Sequence, residues 1–277
     1  MITIAVLLTV YNRKEVTLKG LQSLYASIDN LGGGYHFDVY MTDDGSTDGT
    51  AEAVKTEYPN INIIQGNGNL YWSGGMRKAW QTAIKSGIHY DFYLWFNDDA
   101  ELFNNALAII FESQAKFGDQ CIISGAFYDS DGKTSYGGKS QDCNWINPGD
   151  CQQVFYMNGN FVLIPDNVYK TLGTIDQIFI HGLGDWDYGM RALEKGFDVK
   201  VSTKYVGMTN RHDEQIIELW NYDLKLKERL RKFYGPKHSP TIQFRFDKRH
   251  LGLRYAITRF IVYHIYTLFP FVYKALH

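Results

Sequence analysis

Three short segments hold residues whose types and spacing could do chemistry. The first, WFNDDAEL at residues 95–102, ends an apolar run in two adjacent acids, Asp98 and Asp99. Neighbouring carboxylates in a partly dry site repel each other unless something positive sits beside them. A divalent cation, Mg2+ or Mn2+, relieves that cost, and such ions are commonly held by one or two carboxylates together with the phosphates of a nucleotide. The second segment, MTDDGSTDGT at 41–50, puts Asp43 and Asp44 at another strand end. Asp44 there can accept hydrogen bonds from a nucleobase edge, while Ser46, Thr47 and Asp48 suit the cap of the next helix. The third, HGLGDWDYGMRALEKG at 181–196, sets Asp185 and Asp187 in a helical first turn beside Gly182 and Gly184, which let the backbone approach a ligand closely. A carboxylate at that place can act as general base toward a hydroxyl, although the helix dipole by itself also favours acids there. Arg77 and Arg211 offer guanidinium forks that match phosphate oxygens, and a plain surface role fits them as well.

These segments need elements to position them. Residues 3–10 form a nearly continuous apolar run, the pattern of a parallel strand covered on both faces. A helix follows, with Leu18, Leu21 and Leu24 at helical spacing, and three glycines at 32–34 end it. Strands are then predicted at 37–41, 61–64 and 92–96, with helices at 47–58 and 75–86 between them. The alternation, one unit every 25 to 30 residues, is that of an α/β sheet with right-handed crossovers. A helix at 105–117 and a strand at 121–127 continue it. Residues 128–160, rich in Gly, Ser, Asp and Asn, read as hairpins and loops, and a helix at 185–195 precedes a closing strand at 198–201. The acidic segments at 43–44 and 97–99, and Tyr11-Asn12, all fall just after a strand. In open α/β sheets that carboxyl edge is where ligands bind.

The 277 residues suffice for a catalytic domain with an appendage, and a charged fraction of 21% with 45% hydrophobic residues excludes disorder. Three cysteines without a C-x-x-C spacing suit a reducing, cytoplasmic compartment. The N-terminal apolar run has no basic lead and no small-residue cleavage site, so it reads as a buried strand and not a signal. Charge divides unevenly: residues 1–222 carry 16 Lys/Arg against 27 Asp/Glu, whereas 223–277 carry 12 against 3. The expected organisation is a catalytic domain over 1–215, split near 102 into a nucleotide-binding and an acceptor-side half, and a basic, aromatic helical extension over 216–277. Residues 260–273 lack any acid, Lys or Arg, yet these 14 residues fall short of the roughly 20 needed to span a bilayer. Three readings of the extension stay open: a peripheral membrane contact through 245–277 at the inner face of the cell membrane, packing on the catalytic domain, or a homodimer contact.

Taken in order, TVYNR at 9–13, DDGSTD at 43–48, the acidic pair at 98–99 and the acid-bearing helix start resemble the family 2 glycosyltransferases of GT-A fold. GNLYWSGGMRKAW at 68–80 is similar to the rhamnosyltransferase-like branch. The resemblance implies a Rossmann-like α/β/α sandwich with a mostly parallel central sheet. It implies inverting transfer of a sugar from a nucleotide-diphosphate donor, dTDP- or UDP-linked, to a glycan or lipid-linked acceptor in cell-surface polysaccharide synthesis. No nucleic acid partner is expected. By the same resemblance Thr9, Tyr11 and Asp44 hold the base, Asp98 reaches the ribose or the metal, and Asp99 ligates the metal. Arg13, Asp43, Arg77 and Asn97 are further nucleotide-binding candidates. His212 falls where several members place a histidine on the metal or the diphosphate, although a plain surface or core role fits it as well. Asp185 is then the catalytic base, and Trp72, Trp186 and Asp187 face the acceptor. The chain departs from the family pattern twice: Asn97-Asp98-Asp99 stands where many members have three acids, and Gly184-Asp185 replaces a Glu-Asp pair, leaving one candidate base. Two other enzyme classes lack their signatures. A sugar-nucleotide nucleotidyltransferase carries a Gly-rich loop after its first strand, where TVYNRKE has no glycine, and a dehydrogenase needs a G-x-G-x-x-G that GNGNLY at 66–71 does not complete. A non-catalytic carbohydrate-binding relative would have no need of both Asp99 and Asp185.

Overall fold

The computed structural model describes residues 1–210, 220, 224–236 and 238–276. Its first half follows the expected rhythm: β1 (Ile2–Val10), α1 (Lys14–Leu31), β2 (Tyr35–Asp43), α2 (Thr50–Glu57), β3 (Asn62–Gln65), α3 (Tyr71–Lys85) and β4 (Phe92–Phe96). The strands pair in parallel in the order β3-β2-β1-β4, so each helix crosses over the sheet to the next strand. After the short β5 (Glu101–Leu102) and α4 (Ala106–Phe117) comes β6 (Cys121–Tyr128). The small strands β7 (Thr134–Tyr136), β8 (Gly138–Lys139) and β9 (Tyr156–Met157) make the hairpins of the glycine-rich stretch. Then β10 (Phe161–Pro165), α5 (Asp166–Leu172), α6 (Gly184–Glu194) and β11 (Asp198–Met208) complete the sheet, which continues β4-β10-β6-β11-β5. β10 is antiparallel to both β4 and β6, while β6 and β11 are parallel.

The alternation of side chains along β1 and β4 divides the core in two. Ile4, Val6, Leu8, Leu94 and Phe96 pack with α1 and α4 on one side. Ala5, Leu7, Tyr93 and Trp95 pack with α3 and α6 on the other, where Trp80 and Tyr188 are fully buried. Burial on both faces is what the uninterrupted apolar run of β1 requires.

Three differences from the sequence reading have a direct physical reason. β10 has no counterpart there: its five apolar residues fit a buried strand or a helical turn equally, and only pairing with β4 and β6 decides. β11 runs to Met208, past the expected end at 201, because register irregularities after Val201 break its alternation without ending the pairing. α3 starts four residues before the expected Gly75, since its first amides are capped by Asp44 from a distant loop.

The chain divides into two compact units. Met1–Gln177 with Gly184–Arg211 forms one, and Ile178–Leu183 with the stretch from His212 onward forms the other. The second contains α7 (Leu226–Phe233), α8 (Pro240–His250), α9 (Leu253–Leu268) and α10 (Pro270–Leu276). Trp220 anchors it, with Tyr263, Tyr266 and Tyr273 around its ring. Among the described residues no helix is long and apolar enough to cross a membrane.

Candidate functional site

The candidate site lies in the first unit, at the carboxyl ends of β1, β2 and β4. Leaving β1, the chain turns sharply through Asn12, whose φ of 49° is rare for a residue other than glycine. The turn is pinned from the β2–α2 loop. The Asn12 amide donates to Ser46 Oγ (2.9 Å), the Thr47 amide donates to Asn12 Oδ1 (2.7 Å), and the Lys14 amide opening α1 donates to Asp48 Oδ2 (3.0 Å). Asp48 also caps α2 through the Thr50 amide and hydroxyl, and these bonds hold its carboxyl below the usual range. Asp48 thus caps the start of α2 as its chemistry predicts, whereas Ser46 and Thr47 hold the Asn12 turn and do not cap the helix.

Held this way, Arg13 reaches across to β4. Its guanidinium donates to Asp98 Oδ1 (3.0 Å) and to Asp99 Oδ2 (3.1 Å). One turn later on the same helical face, the Thr17 hydroxyl donates to Asp98 Oδ2 (2.7 Å). Both Asp98 oxygens are engaged and the side chain is 2% exposed, whereas Asp99 is 28% exposed. Burial pushes the Asp98 pKa up to about 6, against the opposing pull of Arg13 and Thr17. Burial also lowers that of Arg13, but the two carboxylates outweigh it and the net change is upward. Close backbone approach makes this possible: a Cβ on Gly20 of α1 would come within 2.1 Å of the Asp98 carbonyl oxygen.

Asp43 and Asp44 are both buried at the end of β2. Asp43 Oδ1 accepts from the Ser46 amide (2.9 Å). Asp44 accepts from the amides of Gly68, Leu70 and Tyr71, each at 2.9 Å, so the carboxylate assigned to a base edge shapes the β3–α3 loop and caps α3. Tyr11 is 54% exposed at the mouth of this region. Thr9 faces α3 so closely that a Cβ on Gly75 would meet its hydroxyl at 2.0 Å. Arg77, half-buried on α3, donates to the Asp176 carbonyl (3.1 Å), and burial lowers its pKa.

The third segment joins the first two through a short relay. Trp72 Nε1 donates to Asn97 Oδ1 (2.7 Å), and the Asn97 amide donates to the Asn160 carbonyl (2.8 Å). The ring edge of Trp72 lies over Gly159, where a Cβ would clash at 2.5 Å, and the Gly159 amide donates to Asp185 Oδ2 (3.0 Å). Asp185 Oδ1 accepts from the Trp186 amide (2.9 Å) at the start of α6. This carboxylate is half-buried but densely surrounded, and desolvation raises its pKa to about 6 against the pull of those amides. Trp186 packs its ring against Tyr156, with centroids 4.8 Å apart. Asp187 points elsewhere: fully buried, it pairs with Arg191 Nε (2.8 Å), which also binds the Leu172 and Thr174 carbonyls. Its carboxylate ties α6 to the preceding loop, and no acceptor could touch it in this conformation.

The geometry therefore brings together Arg13, Asn97, Asp98, Asp99, Trp72 and Asp185, and sets Asp187 apart. Arg211 and His212 lie outside the described residues. Sequence reasoning missed Thr17, Gly159 and Tyr156. Thr17 was open to detection, because it stands four residues after Arg13 on one helical face; the other two carry no local signal. Among the described residues no three His, Cys, Asp or Glu side chains converge on one point. A nucleotide-borne cation is compatible with this arrangement: the Asp99 side chain is 28% exposed and its bond to Arg13 uses Oδ2, so a carboxylate oxygen is available for an ion held mainly by phosphates.

Comparison with known proteins agrees with this architecture. No curated protein sequence matches the chain. Among solved structures, Staphylococcus aureus TarS residues 1–349 in complex with UDP-GlcNAc aligns over 99% of this chain and 92% of its own, with a TM-score of 0.58 and 13% identity. The mannosyltransferase PcManGT from Pyrobaculum calidifontis, in complex with GDP-Man and Mn2+, aligns over 93% of this chain and 73% of its own, with a TM-score of 0.54 and 14% identity. GalNAc-T7 with UDP, GalNAc and Mn2+ aligns over 98% of this chain and 58% of its own, with a TM-score of 0.56 and 13% identity. At such identities the likeness establishes the GT-A-like fold: a mostly parallel curled sheet between helices. The sequence profile described as glycosyl transferase family 2 matches residues 5–173, well over half of the chain, which accordingly belongs to that family.

Proposed function

We propose that the chain transfers a sugar from a nucleoside-diphosphate donor to an acceptor hydroxyl with inversion, Asp185 acting as general base. One observation carries the reading. A half-buried carboxylate with a raised pKa sits at the start of α6, linked through Gly159, Trp72 and Asn97 to the acid pair that ends β4. A base must be within reach of the acceptor proton and must keep some affinity for it; a carboxylate poised near 6 is ionised at neutral pH and retains that affinity.

Tyr11, Thr9 and the β2–α2 loop would then frame the nucleotide, with Arg13 and Arg77 near its diphosphate. Asp99 would hold Mg2+ or Mn2+ together with diphosphate oxygens. Such an ion, when bound, supplies charge stabilisation to the leaving nucleoside diphosphate. Trp72 and Trp186 flank the Asp185 carboxylate and offer rings on which an acceptor sugar can stack. The solved GT-A structures in complex with GDP-Man, UDP-GlcNAc and UDP support a nucleotide-sugar donor. The segment at 68–80 favours a rhamnosyltransferase-like specificity, hence a dTDP- or UDP-linked sugar, and a glycan or lipid-linked acceptor at the cytoplasmic side of cell-surface polysaccharide synthesis.

The test is a thermal-shift screen against UDP-, dTDP- and GDP-sugars with and without Mn2+, repeated on Asp99→Asn. A donor-specific stabilisation that grows with Mn2+ and loses that growth in the variant is the expected result. Metal-independent binding that is unchanged in Asp99→Asn would remove Asp99 from the cation site.

A further inference from the structure

The second unit turns an unusual face outward. Around α9, Ala256 and Thr267 are buried, as the inner side of a packed helix should be. On a soluble helix the opposite side is expected to be polar. Here it carries Leu253, Ile257, Ile261, Ile265 and Leu268, spaced by four, four, four and three residues, each at least 39% exposed. Phe269 and Phe271, half-exposed, extend this apolar surface past the end of the helix.

Charge decides what could cover it. At the N-terminal end of the stripe stand the exposed Arg254 and, in the last turn of α8, Lys248 and Arg249; Lys274 is exposed near the other end. Over residues 240–276 the single acid is Asp247, which is buried and bridged to Arg259 at 3.2 Å. Every exposed charge along these three helices is therefore positive. A second copy docked through this stripe would set cation against cation, which opposes self-association. An anionic lipid surface answers both features at once, taking the aliphatic row among its acyl chains and the Lys/Arg groups among its headgroups. With 16 residues, α9 is about 24 Å long, short of the ~30 Å hydrocarbon core, so it would lie in the interface and not cross it.

We infer that α9, with its flanking cations, is a docking surface for anionic membranes. The inference rests on surface chemistry alone and stands whether or not Asp185 is a base. It is tested with the full chain by co-sedimentation with vesicles of phosphatidylcholine, with and without phosphatidylglycerol, at low and high salt. Pelleting should require phosphatidylglycerol, weaken with salt, and fall at least about tenfold in the double variant Ile257→Glu, Ile261→Glu. Both positions are exposed, and an unchanged melting temperature would show that the variant folds. Lys248→Gln with Arg254→Gln should weaken binding and flatten its salt dependence. A supernatant-only protein at low salt, or pelleting that the Ile257→Glu, Ile261→Glu variant retains, would overturn the inference. So would a dimer in solution that this variant converts to monomer, because a second copy would then be the occupant.

Discussion

Replacing Asp185 by Asn should strongly reduce transfer and, at neutral pH, leave the protein relatively better folded than at acid pH. The carboxyl is shifted from an ordinary 3.8 to about 6 by desolvation. At about 1.4 kcal/mol per decade of proton affinity this places close to 3 kcal/mol on the ionised form, and about 2 kcal/mol once screening of the half-buried side chain is allowed for. A carboxylate whose folded pKa is raised favours the fold fully below pH 3.8, and that contribution is lost as pH rises through about 6. Asn never ionises, so the variant escapes the loss. It also faces the Gly159 and Trp186 amides with only one acceptor oxygen, a cost of about 1–3 kcal/mol at any pH. Comparing the melting temperatures of variant and wild type at pH 4 and pH 7 cancels that constant cost. The difference should move in the variant's favour by roughly 4–8 °C between the two pH values. In the same preparations, transfer should fall by about 10²–10⁴-fold with donor affinity intact, and the wild type should lose kcat/KM as pH falls through about 6. A melting difference that does not change with pH, or transfer within tenfold of wild type, would refute the assignment.

Asp187→Asn should show the opposite pattern. Removing one partner of the buried pair with Arg191 costs about 3 kcal/mol, the lower end of the range because Arg191 keeps its carbonyl contacts, so melting falls while turnover per folded molecule persists. Lost turnover at unchanged stability would instead bring Asp187 into the reaction. Gly20→Ala, by driving a methyl to 2.1 Å from the Asp98 carbonyl, should destabilise by about 1–3 kcal/mol in thermal unfolding and weaken nucleotide binding in calorimetry, and wild-type values for both would contradict the close packing of α1 on β4.

Much of the sheet was legible because its signals are local. The apolar run of β1 states its own burial, and Phe92–Phe96 was placed to the residue. The acidic segments fell where expected, at strand ends, because topology fixes which edge a crossover leaves open. What could not be read depends on pairs far apart in sequence. Arg13 meets Asp98 and Asp99 across 85 and 86 residues. Asp44 looks like a free carboxylate in its own segment, and only the fold supplies the three amides that occupy it. Asp185 and Asp187 are indistinguishable as two acids in a first turn. Two residues along a helix turn the side chain by about 200°, which is what sends one toward Gly159 and the other toward Arg191.

Two carboxylates in this site are pushed to about 6, and they are not equivalent. Asp98 owes its position to burial, yet its charge is answered by Arg13 and both oxygens are in use. Protonating it would remove the charge from its half of the Arg13 bridge, so its titration reports on the integrity of the nucleotide side of the site. Asp185 has no Lys or Arg partner among the described residues; two amide dipoles alone support its charge. A proton arriving there neutralises an uncompensated carboxylate and breaks no ion pair, which is the cheaper event and the one a base must undergo in every turnover. An acid limb near pH 6 would by itself name neither residue. Loss of transfer with retained donor binding in Asp185→Asn, against loss of donor binding in Asp98→Asn, separates the two, because only the latter leaves Arg13 without the buried half of its bridge.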